Sequence, residues 1–355
     1  MKKIKVLIIE DSKLMQKILS KALSSDPEID VIGIAEDPLI ARDLIKKLNP
    51  DVLTLDIMLP HMDGITFLRN LMRLRPMPTV MVSTLTENGS ALALEALAIG
   101  AVDYLPKPKC NALTDLSIFE KELIHTVKNA ASATFVKSVA PIIENKFSEN
   151  LFQSDLLKKE LIVIGASTGG IEAIETILLQ LPQILPPILI VQHIKKEFSS
   201  AFPERIRRLY GLLISEAEDN SEIFGGHIYI APGHAHLTVR KQKNGYITCL
   251  QDTPEVNRHK PSIDELFMSV ANVAGTHSIG ILLTGMGTDG AQGLKAIHDA
   301  GGVTIAQDEK SSIVWGMPGN AVKIGAADYI VPLNAIPLKI LQILDAKMLG
   351  VSATQ

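Results

Sequence analysis

The sequence predicts an α/β protein made of two doubly wound domains, a five-stranded parallel domain followed by a larger, mainly parallel one. Three observations support this prediction. Short runs rich in Val, Ile and Leu alternate with segments of helical spacing, the pattern of strands joined by helices. The alternation occurs twice, on either side of a segment that shows neither pattern. The 355 residues are enough for two or three domains with sizeable cores.

The first domain is predicted to span residues 1–128 and to contain five strand–helix units. The strands are predicted at residues 5–9, 31–35, 51–55, 79–83 and 101–105. The helices are predicted at residues 12–23, 38–48, from 64 onward, 90–99 and 113–130. Because right-handed crossovers connect parallel strands, the carboxyl ends of the strands should meet at one edge of the sheet.

The second domain is predicted over residues 159–347, after a linker at 129–158 and before a tail at 348–355. Its strands are predicted at residues 161–164, 188–192, 212–215, 227–230, 248–251, 280–283 and 303–307. Its helices are predicted at residues 171–181, 199–210, 262–274, 291–300 and 318–324. Around residues 226–251, two alternating runs flank Asn244-Gly245, which predicts an inserted β-hairpin. The linker prediction rests on its mixture of small, polar and scattered apolar residues.

The charge balance, the cysteine spacing and the length of the apolar runs exclude several classes of protein. Residues 1–128 hold 16 Lys and Arg against 17 Asp and Glu, and the rest of the chain holds 19 against 22. Neither part is basic, so we expect no nucleic-acid partner. Cys110 and Cys249 lie too far apart for a metal or redox motif, which is typical of reduced thiols. The first apolar run stops at Glu10, too early for a signal peptide, and no apolar run is long enough to span a membrane. We therefore expect a cytoplasmic protein without membrane insertion.

Residues 161–170 read LIVIGASTGG and carry the strongest chemical signal in the second domain. A buried strand runs into a G-x-S-x-G pattern around Ser167, and a helical pattern follows. This is the context of a nucleophile elbow, in which a sharp turn exposes the serine hydroxyl at the edge of the sheet. A tight turn with a capping serine, or an anion-binding loop, is the alternative interpretation.

A serine nucleophile needs a base, and His193 is the histidine best placed for that role. It directly follows the predicted strand at 188–192, at the sheet edge where catalytic groups gather. His234, His236 and His259 lie in predicted loops and remain candidates. A solvated histidine at the end of a strand is the alternative for His193 itself.

Asp289 is the predicted partner of the base. It lies in the glycine-rich segment GMGTDG, which follows another predicted strand. Asp289 could instead cap the helix that begins at residue 291, and Asp252 is the second choice for the partner. The backbone amides of Thr168 and Met286 lie in the two glycine-rich turns, so they are the predicted donors to an oxyanion.

The polar segment VNRHKPS at residues 256–262 precedes a predicted helix, with Ser262 at the N-cap position. Arg258 and Lys260 could contact an acidic substrate surface. A solvated loop is the alternative on the sequence alone.

The first domain has charged and polar side chains where its strands end. Glu10 and Asp11 follow the first strand, Asp56 the third, Ser83 ends the fourth and Lys107 follows the fifth. Three carboxylates together form a hard-oxygen site for Mg²⁺, at which Asp56 could accept a phosphoryl group. Lys107 would pair with the phosphoryl oxygens and Ser83 would hydrogen-bond to them. Each acid alone could be a cap or a solvated turn residue.

Several motifs resemble those of known families. Residues 1–128 resemble a response-regulator receiver domain, through IEDS at 9–12, LDIMLPHMDG at 55–64, VS at 82–83 and KP at 107–108. Residues 159–347 resemble the catalytic domain of the chemotaxis protein-glutamate methylesterase. The motifs are GASTGG at 165–170, QH at 192–193, APG at 231–233, VNRHKPS at 256–262, LTGMGTDG at 283–290 and GMP at 316–318.

The resemblance implies an enzyme that hydrolyses glutamate γ-methyl esters on methyl-accepting chemoreceptors and deamidates certain receptor glutamines. It implies activation by phosphorylation, with Asp56 accepting phosphate from the chemotaxis histidine kinase. Ester hydrolysis would need no cofactor, and the protein is expected to be a monomer. By the resemblance, Ser167, His193 and Asp289 form the triad and the Met286 amide helps to hold the oxyanion, beside the Thr168 amide predicted above. In the first domain, the predicted phosphoryl and switch residues are Ser83, Tyr104 and Lys107. The predicted Mg²⁺ ligands are Glu10, Asp11, Asp56 and the backbone carbonyl of Met58. Arg258 and His259 are candidate substrate contacts.

Two residues depart from the receiver pattern. Glu10 stands where the family usually has Asp, and Met58-Leu59 replaces a more usual acidic residue and Met. Neither change removes a reacting group. Two other classes of protein remain as alternatives. One is a DNA-binding response regulator, although no basic recognition helix is evident, and the other is a catalytically silent docking module of the same fold.

Overall fold

The structure is a computed structural model that describes residues 3–84, 87–108, 113–133, 159–183, 185–194, 196–243 and 245–349. The chain forms two compact units, Met1–Phe135 and Val136–Gln355. Most of the predicted linker, most of the predicted tail, Cys110 and Asn244 of the predicted hairpin turn lie outside the described residues. The predicted boundaries at 128, 158 and 347 therefore stay predictions.

The first unit is a five-stranded parallel sheet flanked by helices, as predicted. Its strands are β1 (Ile4–Ile9), β2 (Ile29–Ala35), β3 (Val52–Leu55), β4 (Thr79–Ser83) and β5 (Asp103–Pro106), and its helices are α1 (Lys13–Ser24), α2 (Pro38–Leu48), α3 (Gly64–Leu74), α4 (Glu87–Ile99) and α5 (Leu113–Ala131). The strand order is β2-β1-β3-β4-β5, so the direction of winding reverses between β1 and β3. Ligand sites of doubly wound sheets lie outside the carboxyl ends of the strands at this point.

Local sequence explains where the helices of the first unit begin. The Asp37 carboxylate accepts hydrogen bonds from the amides of Leu39 (2.7 Å) and Ile40 (2.9 Å) at the start of α2. The Asp63 carboxylate does the same for the Thr66 amide (2.8 Å) in α3. Such caps stabilise a helix by about 1 kcal/mol each. Apolar side chains of the strands pack against α1 and α5 to form the core, and each fully buried side chain contributes roughly 1.5–3 kcal/mol.

The second unit has a seven-stranded parallel sheet with order β14-β13-β12-β6-β7-β9-β8 and a separate antiparallel pair, β10 and β11. Its strands are β6 (Leu161–Ala166), β7 (Ile188–Gln192), β8 (Ile214–Glu216), β9 (Ile228–Ile230), β10 (His236–Gln242), β11 (Gly245–Gln251), β12 (Ser278–Leu282), β13 (Val303–Gln307) and β14 (Tyr329–Val331). Its helices are α6 (Gly170–Leu178), α7 (Lys196–Ser199), α8 (Ala201–Tyr210), α9 (Ile263–Ala274), α10 (Ala291–Asp299), α11 (Met317–Lys323) and α12 (Ile336–Met348). The winding reverses between β6 and β12, which places the expected site above β6, β7 and β12.

The predicted hairpin is confirmed as β10 and β11, which pair from His236 opposite Gln251 to Gln242 opposite Gly245. It packs its apolar face against α9, and the Val239 amide donates a hydrogen bond to the hydroxyl of Ser269 (3.0 Å). The sequence analysis placed His236 in a loop, whereas it begins β10.

β14 and α12 are not predicted by the sequence pattern. β14 has only three residues, one of them exposed, so it carries too little pattern for a sequence-based prediction. α12 reads IPLKILQILDAKM and buries five of its apolar side chains as well as its proline. Near the end of α12, the Lys347 ammonium pairs with the buried carboxylate of Glu160 (2.8 Å). Glu160 is the residue directly before β6. Within the described residues, no helix combines the length and apolar character needed to cross a bilayer.

Candidate active site

Ser167 lies in a tight turn between β6 and α6. Its carbonyl accepts a hydrogen bond from the Gly170 amide (2.8 Å), and its own amide donates to the carbonyl of Thr284 (3.0 Å). Gly169 has a φ of 74°, a left-handed conformation that glycine adopts without strain. A Cβ on Gly285 would lie 2.6 Å from the Ser167 Cβ, so the neighbouring loop can approach the serine only as glycine. The turn is the strand–serine–helix junction that the sequence predicts.

His193 follows the neighbouring strand at the same level as Ser167. Ala166 pairs with Gln192 in the β6–β7 register, and the His193 amide donates to the Ala166 carbonyl (3.0 Å). Adjacent strands lie roughly 4.8 Å apart, so the residues that follow them are close neighbours. The Gln192 side-chain amide donates to the carbonyls of both Ser167 (2.9 Å) and His193 (3.1 Å), which ties the two backbones together.

His193 and Asp289 form a buried pair. The His193 Nε2 lies 2.8 Å from Asp289 Oδ2, and their side chains are 6% and 1% exposed. Within the described residues, the buried His193 Nδ1 has no hydrogen-bond partner, and the Ser167 hydroxyl makes no hydrogen bond to it. Because Asp289 engages Nε2, Nδ1 is the ring nitrogen that can accept a proton. Hydrogen bonds between a nucleophile and its base are often long before substrate binds.

The Asp289 carboxylate accepts hydrogen bonds from several directions. Oδ2 accepts from His193 and from the Ile263 amide (2.7 Å). Oδ1 accepts from Ser262 Oγ (2.8 Å), Asn257 Nδ2 (2.9 Å) and the amide of Asp264 (3.3 Å). Burial alone would raise the pKa of Asp289, but hydrogen bonding and charge interaction with His193, together with the other donors, hold it below its ordinary value.

The alternative role for Asp289, capping its own helix, does not match this geometry. The N-cap of α10 is Gly290, without a side-chain cap, and Asp289 accepts from the first amides of α9 instead. Ser262 does occupy the predicted N-cap position of α9. Its hydroxyl donates to Asp289 rather than capping the helix, so Asp289 replaces it as the cap.

The other sequence candidates for the base and its partner lie elsewhere. Asp252 is 80% exposed on its side chain and pairs with Lys260 (2.7 Å). His236 is buried, and its two ring nitrogens bond to the amide of Ser262 (3.0 Å) and to a backbone carbonyl (3.0 Å). His234 is exposed. Among the predicted candidates within the described ranges, His193 is therefore the histidine that contacts Asp289.

His259 lies against the base. Its ring stacks on that of His193, with the centroids 3.7 Å apart and the planes inclined by 11°. The preceding residues Asn257 and Arg258 have left-handed φ values of 53° and 68°. Burial, and then the neighbouring His193, lower the pKa of His259 to about 4. Arg258 is exposed at the surface beside this stack. The predicted substrate contacts of Arg258 and His259 stay predictions.

We expect His259 to lower the free energy of unfolding of the second unit as the pH falls from about 6.5 to about 4. The unfolded chain protonates His259 at its ordinary pKa of 6.5, whereas the folded chain resists protonation down to about 4. Acid therefore favours the unfolded state across this window, by up to about 3 kcal/mol from this residue. The raised pKa of Asp264 stabilises the folded state over part of the same range, so the effect of His259 is measured as a difference between two proteins. In urea unfolding between pH 4 and 7, His259→Phe should lose less stability on acidification than the wild type. His298→Phe, which changes a partly exposed histidine of α10, is the control, and equal slopes for wild type and His259→Phe would contradict the prediction.

The backbone amides of Thr168 and Met286 are the predicted donors of hydrogen bonds to an oxyanion. Within the described residues, neither the Thr168 amide nor the Met286 amide donates to a backbone carbonyl. The Thr168 carbonyl accepts from the hydroxyl of Thr284 (3.0 Å), which joins the serine turn to the loop that carries Met286. Met286 itself is 39% exposed, so this loop borders solvent at the mouth of the site.

The first unit holds its acidic cluster where β1 and β3 end. Ligand atoms of Glu10, Asp11 and Asp56 lie within 4.8 Å of one another. Lys107 Nζ lies 2.7 Å from Asp56 Oδ2 and 3.0 Å from Glu10 Oε1. Within the described residues, Asp56 Oδ1 is buried without a hydrogen-bond partner. Burial raises the pKa of Glu10, and the Lys107 ammonium only partly offsets it. Clustered carboxylates with an unsatisfied oxygen fit a hard divalent cation such as Mg²⁺.

The remaining predicted residues of the first unit surround this cluster. Ser83 is buried at the end of β4, and the Tyr104 hydroxyl donates to its carbonyl (3.0 Å). Burial, and then the charge of Asp56, raise the pKa of Tyr104 to about 12. Met58 is 67% exposed. The backbone carbonyl of Met58 stays a predicted metal ligand.

Comparisons with known proteins identify relatives of both parts of the chain. Residues 162–340 match the family model described as CheB methylesterase, and residues 6–116 match the response regulator receiver domain. The chain is 46% identical over 374 residues to a protein-glutamate methylesterase/protein-glutamine glutaminase of Hydrogenovibrio crunogenus, covering 97% of this chain and 100% of that protein. A protein of the same name, numbered 2, from Saccharophagus degradans is 49% identical over 346 residues, covering 96% and 99%. The crystal structure of the Thermotoga maritima CheB methylesterase catalytic domain matches with 34% identity and a TM-score of 0.50, covering 52% of this chain and 97% of that one.

Proposed function

Because the chain belongs to the protein-glutamate methylesterase/protein-glutamine glutaminase family, we propose that it hydrolyses glutamate γ-methyl esters on chemoreceptors and deamidates receptor glutamines under the control of its receiver domain. The observation that carries the proposal is the buried His193–Asp289 pair. Its Nδ1 has no hydrogen-bond partner among the described residues, and Gln192 ties the His193 backbone to that of Ser167. This is the constellation that acyl transfer by a serine requires.

In the proposed reaction, His193 Nδ1 takes the proton of the Ser167 hydroxyl as the serine oxygen attacks the γ-carbonyl of the substrate. The tetrahedral intermediate collapses when the imidazolium returns this proton to the departing oxygen, and methanol leaves. A water molecule then attacks the acyl-enzyme with the same base, which releases the glutamate carboxylate and restores the hydroxyl. With a glutamine substrate, ammonia leaves instead. Asp289 stabilises the imidazolium throughout.

The amides of Thr168 and Met286 are the proposed donors to the intermediate oxyanion, because both are free for such a bond and flank the serine. Arg258 and His259 are the proposed substrate contacts. The exposed Arg258 guanidinium suits an acidic substrate surface and the carboxylate that the reaction generates.

In the receiver domain, a carboxylate oxygen of Asp56 is the proposed acceptor of a phosphoryl group from the chemotaxis histidine kinase. Lys107, already paired with Asp56, would neutralise the phosphoryl oxygens, and the Ser83 hydroxyl would donate a hydrogen bond to one of them. Burial by itself would lower the pKa of Lys107, but its hydrogen bonds to Asp56 and Glu10 raise it, so the ammonium stays charged. Tyr104 is the proposed switch residue.

Glu10, Asp11, Asp56 and the backbone carbonyl of Met58 are the proposed ligands of Mg²⁺, which would supply positive charge for the transferred phosphoryl group. Ester hydrolysis uses no cofactor in this proposal. We further propose a monomer in the cytoplasm whose partners are methyl-accepting chemoreceptors and the histidine kinase, with no nucleic acid and no membrane insertion.

Methanol release from methylated receptor, with and without a small-molecule phosphodonor, tests the proposal. The wild type should release methanol and respond to the phosphodonor, whereas Asp56→Asn should lose the response because it lacks the nucleophilic carboxylate. Asp43→Asn is a matched control, since Asp43 is an exposed acid of the same domain, and it should respond like the wild type. Stimulation that persists in Asp56→Asn would move the acceptor to another residue.

A further inference from the structure

The helices α9 and α10 exchange their N-terminal caps. Asp289, which precedes α10, accepts from the Ile263 and Asp264 amides at the start of α9. Asp264, the second residue of α9, accepts from the Gly293 amide at the start of α10 (2.7 Å). Carboxylates are favourable at helix N-termini. The exchange nevertheless places two buried carboxylates, 1% and 4% exposed, close to each other.

The side chain of Asn257 joins these two carboxylates. Its Nδ2 lies 2.8 Å from Asp264 Oδ2 and 2.9 Å from Asp289 Oδ1. A side-chain amide has two N–H donors, so each carboxylate receives one of them. The backbone of Asn257 is left-handed, with a φ of 53°, a conformation that asparagine tolerates better than most residues. A neutral double donor is well suited to lie between two acceptors that carry charge.

Without this amide, the two carboxylates would interact unfavourably. Burial, together with the charge of Asp289, raises the pKa of Asp264 to about 6, although the Gly293 amide acts in the opposite direction. Both carboxylates are therefore ionised at neutral pH, and like charges repel strongly in a buried environment. Rotation of Asp289 away from Asp264 would relieve the repulsion and would also withdraw Oδ2 from the His193 ring.

We propose that Asn257 is a positioning residue whose side-chain amide holds the Asp289 carboxylate against repulsion by Asp264, in the orientation that presents Oδ2 to His193. Asn257 acts through Asp289 and His193, with no contact to the reacting atoms. The inference rests on the proposed function, because the pair that it holds is the proposed base and its partner.

Asn257→Gly tests this role, because glycine keeps the left-handed backbone and removes only the side-chain amide. The matched control is Asn220→Gly. Asn220 is likewise exposed, has a positive φ of 56° and donates to a carboxylate, but that carboxylate belongs to the exposed Asp219 (2.6 Å) and not to a buried pair. We expect Asn257→Gly to lower both kcat for methanol release and the rate at which a fluorophosphonate labels Ser167 by about 10- to 100-fold. KM should stay within about threefold of the wild type, since substrate contacts are unchanged. Asn220→Gly should match the wild type.

A second variant separates positioning from general destabilisation. Adding Asp264→Asn to Asn257→Gly removes the repelling charge, so the double variant should regain stability and at least part of the lost labelling rate. The NMR resonance of the His193 Nε2 proton should weaken in Asn257→Gly and return in the double variant. Equal labelling rates for wild type and Asn257→Gly, or a double variant no faster than the single one, would overturn the positioning role. A wild type that is not labelled at all would instead refute the proposed function.

Discussion

Ser167→Ala should lower methanol release from methylated receptor by about 10⁴-fold or more, because the variant lacks the hydroxyl that is the proposed nucleophile. Removing the nucleophile of a triad costs about as much as removing all three of its members, since they act as one unit. The Ser167 hydroxyl makes no hydrogen bond to His193 in the described part of the chain. The free energy of unfolding should therefore stay within about 0.5 kcal/mol of the wild type.

A second serine–histidine pair supplies the control for this variant. Ser215, on β8, has its Oγ 2.9 Å from the Nε2 of His227, which directly precedes β9. Both residues lie outside the glycine-rich turns of the proposed site. Ser215→Ala should keep full methanol release and full labelling by a fluorophosphonate, whereas Ser167→Ala should lose both. Activity that survives in Ser167→Ala would exclude Ser167 as the nucleophile. A wild type that neither releases methanol nor reacts with the phosphonate would favour the catalytically silent module.

Asp289→Asn should lower kcat by about 10³- to 10⁴-fold, because an amide cannot stabilise the imidazolium or fix the tautomer of His193 as a carboxylate does. The structure adds a second reason. Oδ2 of Asp289 accepts from His193 and Ile263, and Oδ1 accepts from Ser262 and Asn257. The NH₂ group of an asparagine would face donors in either orientation. We therefore also expect a loss of roughly 3–5 kcal/mol in the free energy of unfolding.

Asp299→Asn is the matched control for Asp289→Asn. Asp299 ends the same helix, α10, and its exposed side chain pairs with Lys295 on the surface. The control should keep wild-type kcat and stability, while thermal unfolding and methanol release both fall in Asp289→Asn. Retention of most of the kcat by folded Asp289→Asn would mean that the charge on this residue is unimportant for the reaction.

The fold class and the approximate positions of the site residues could be predicted from the sequence. Parallel strands place their following residues at one edge, so the residues after three predicted strands identify Ser167, His193 and Asp289 as neighbours. The elements that were missed carry little local signal. β14 has three residues, and α12 is apolar on more than one face because it packs in the core.

The finer organisation of the site depends on tertiary contacts that a local pattern cannot reveal. Asp289 precedes one helix and caps another, so the rule that an aspartate caps the helix after it predicts the wrong partner. Asn257 and His259 lie in a motif that the sequence analysis noted, yet spacing gives no sign that one bridges two carboxylates or that the other stacks on His193.

The ion pair between Glu160 and Lys347 has a consequence for engineering. It brings Glu160, directly before β6, and Lys347, near the end of α12, together at the amino edge of the sheet. The six residues of β6, at about 3.3 Å per residue, put that edge roughly 20 Å from the serine turn. A fluorophore attached next to Glu160 or Lys347 would therefore start far from the Ser167 turn. The proximity of these two residues also makes them suitable positions at which to join or cut the chain in engineered variants.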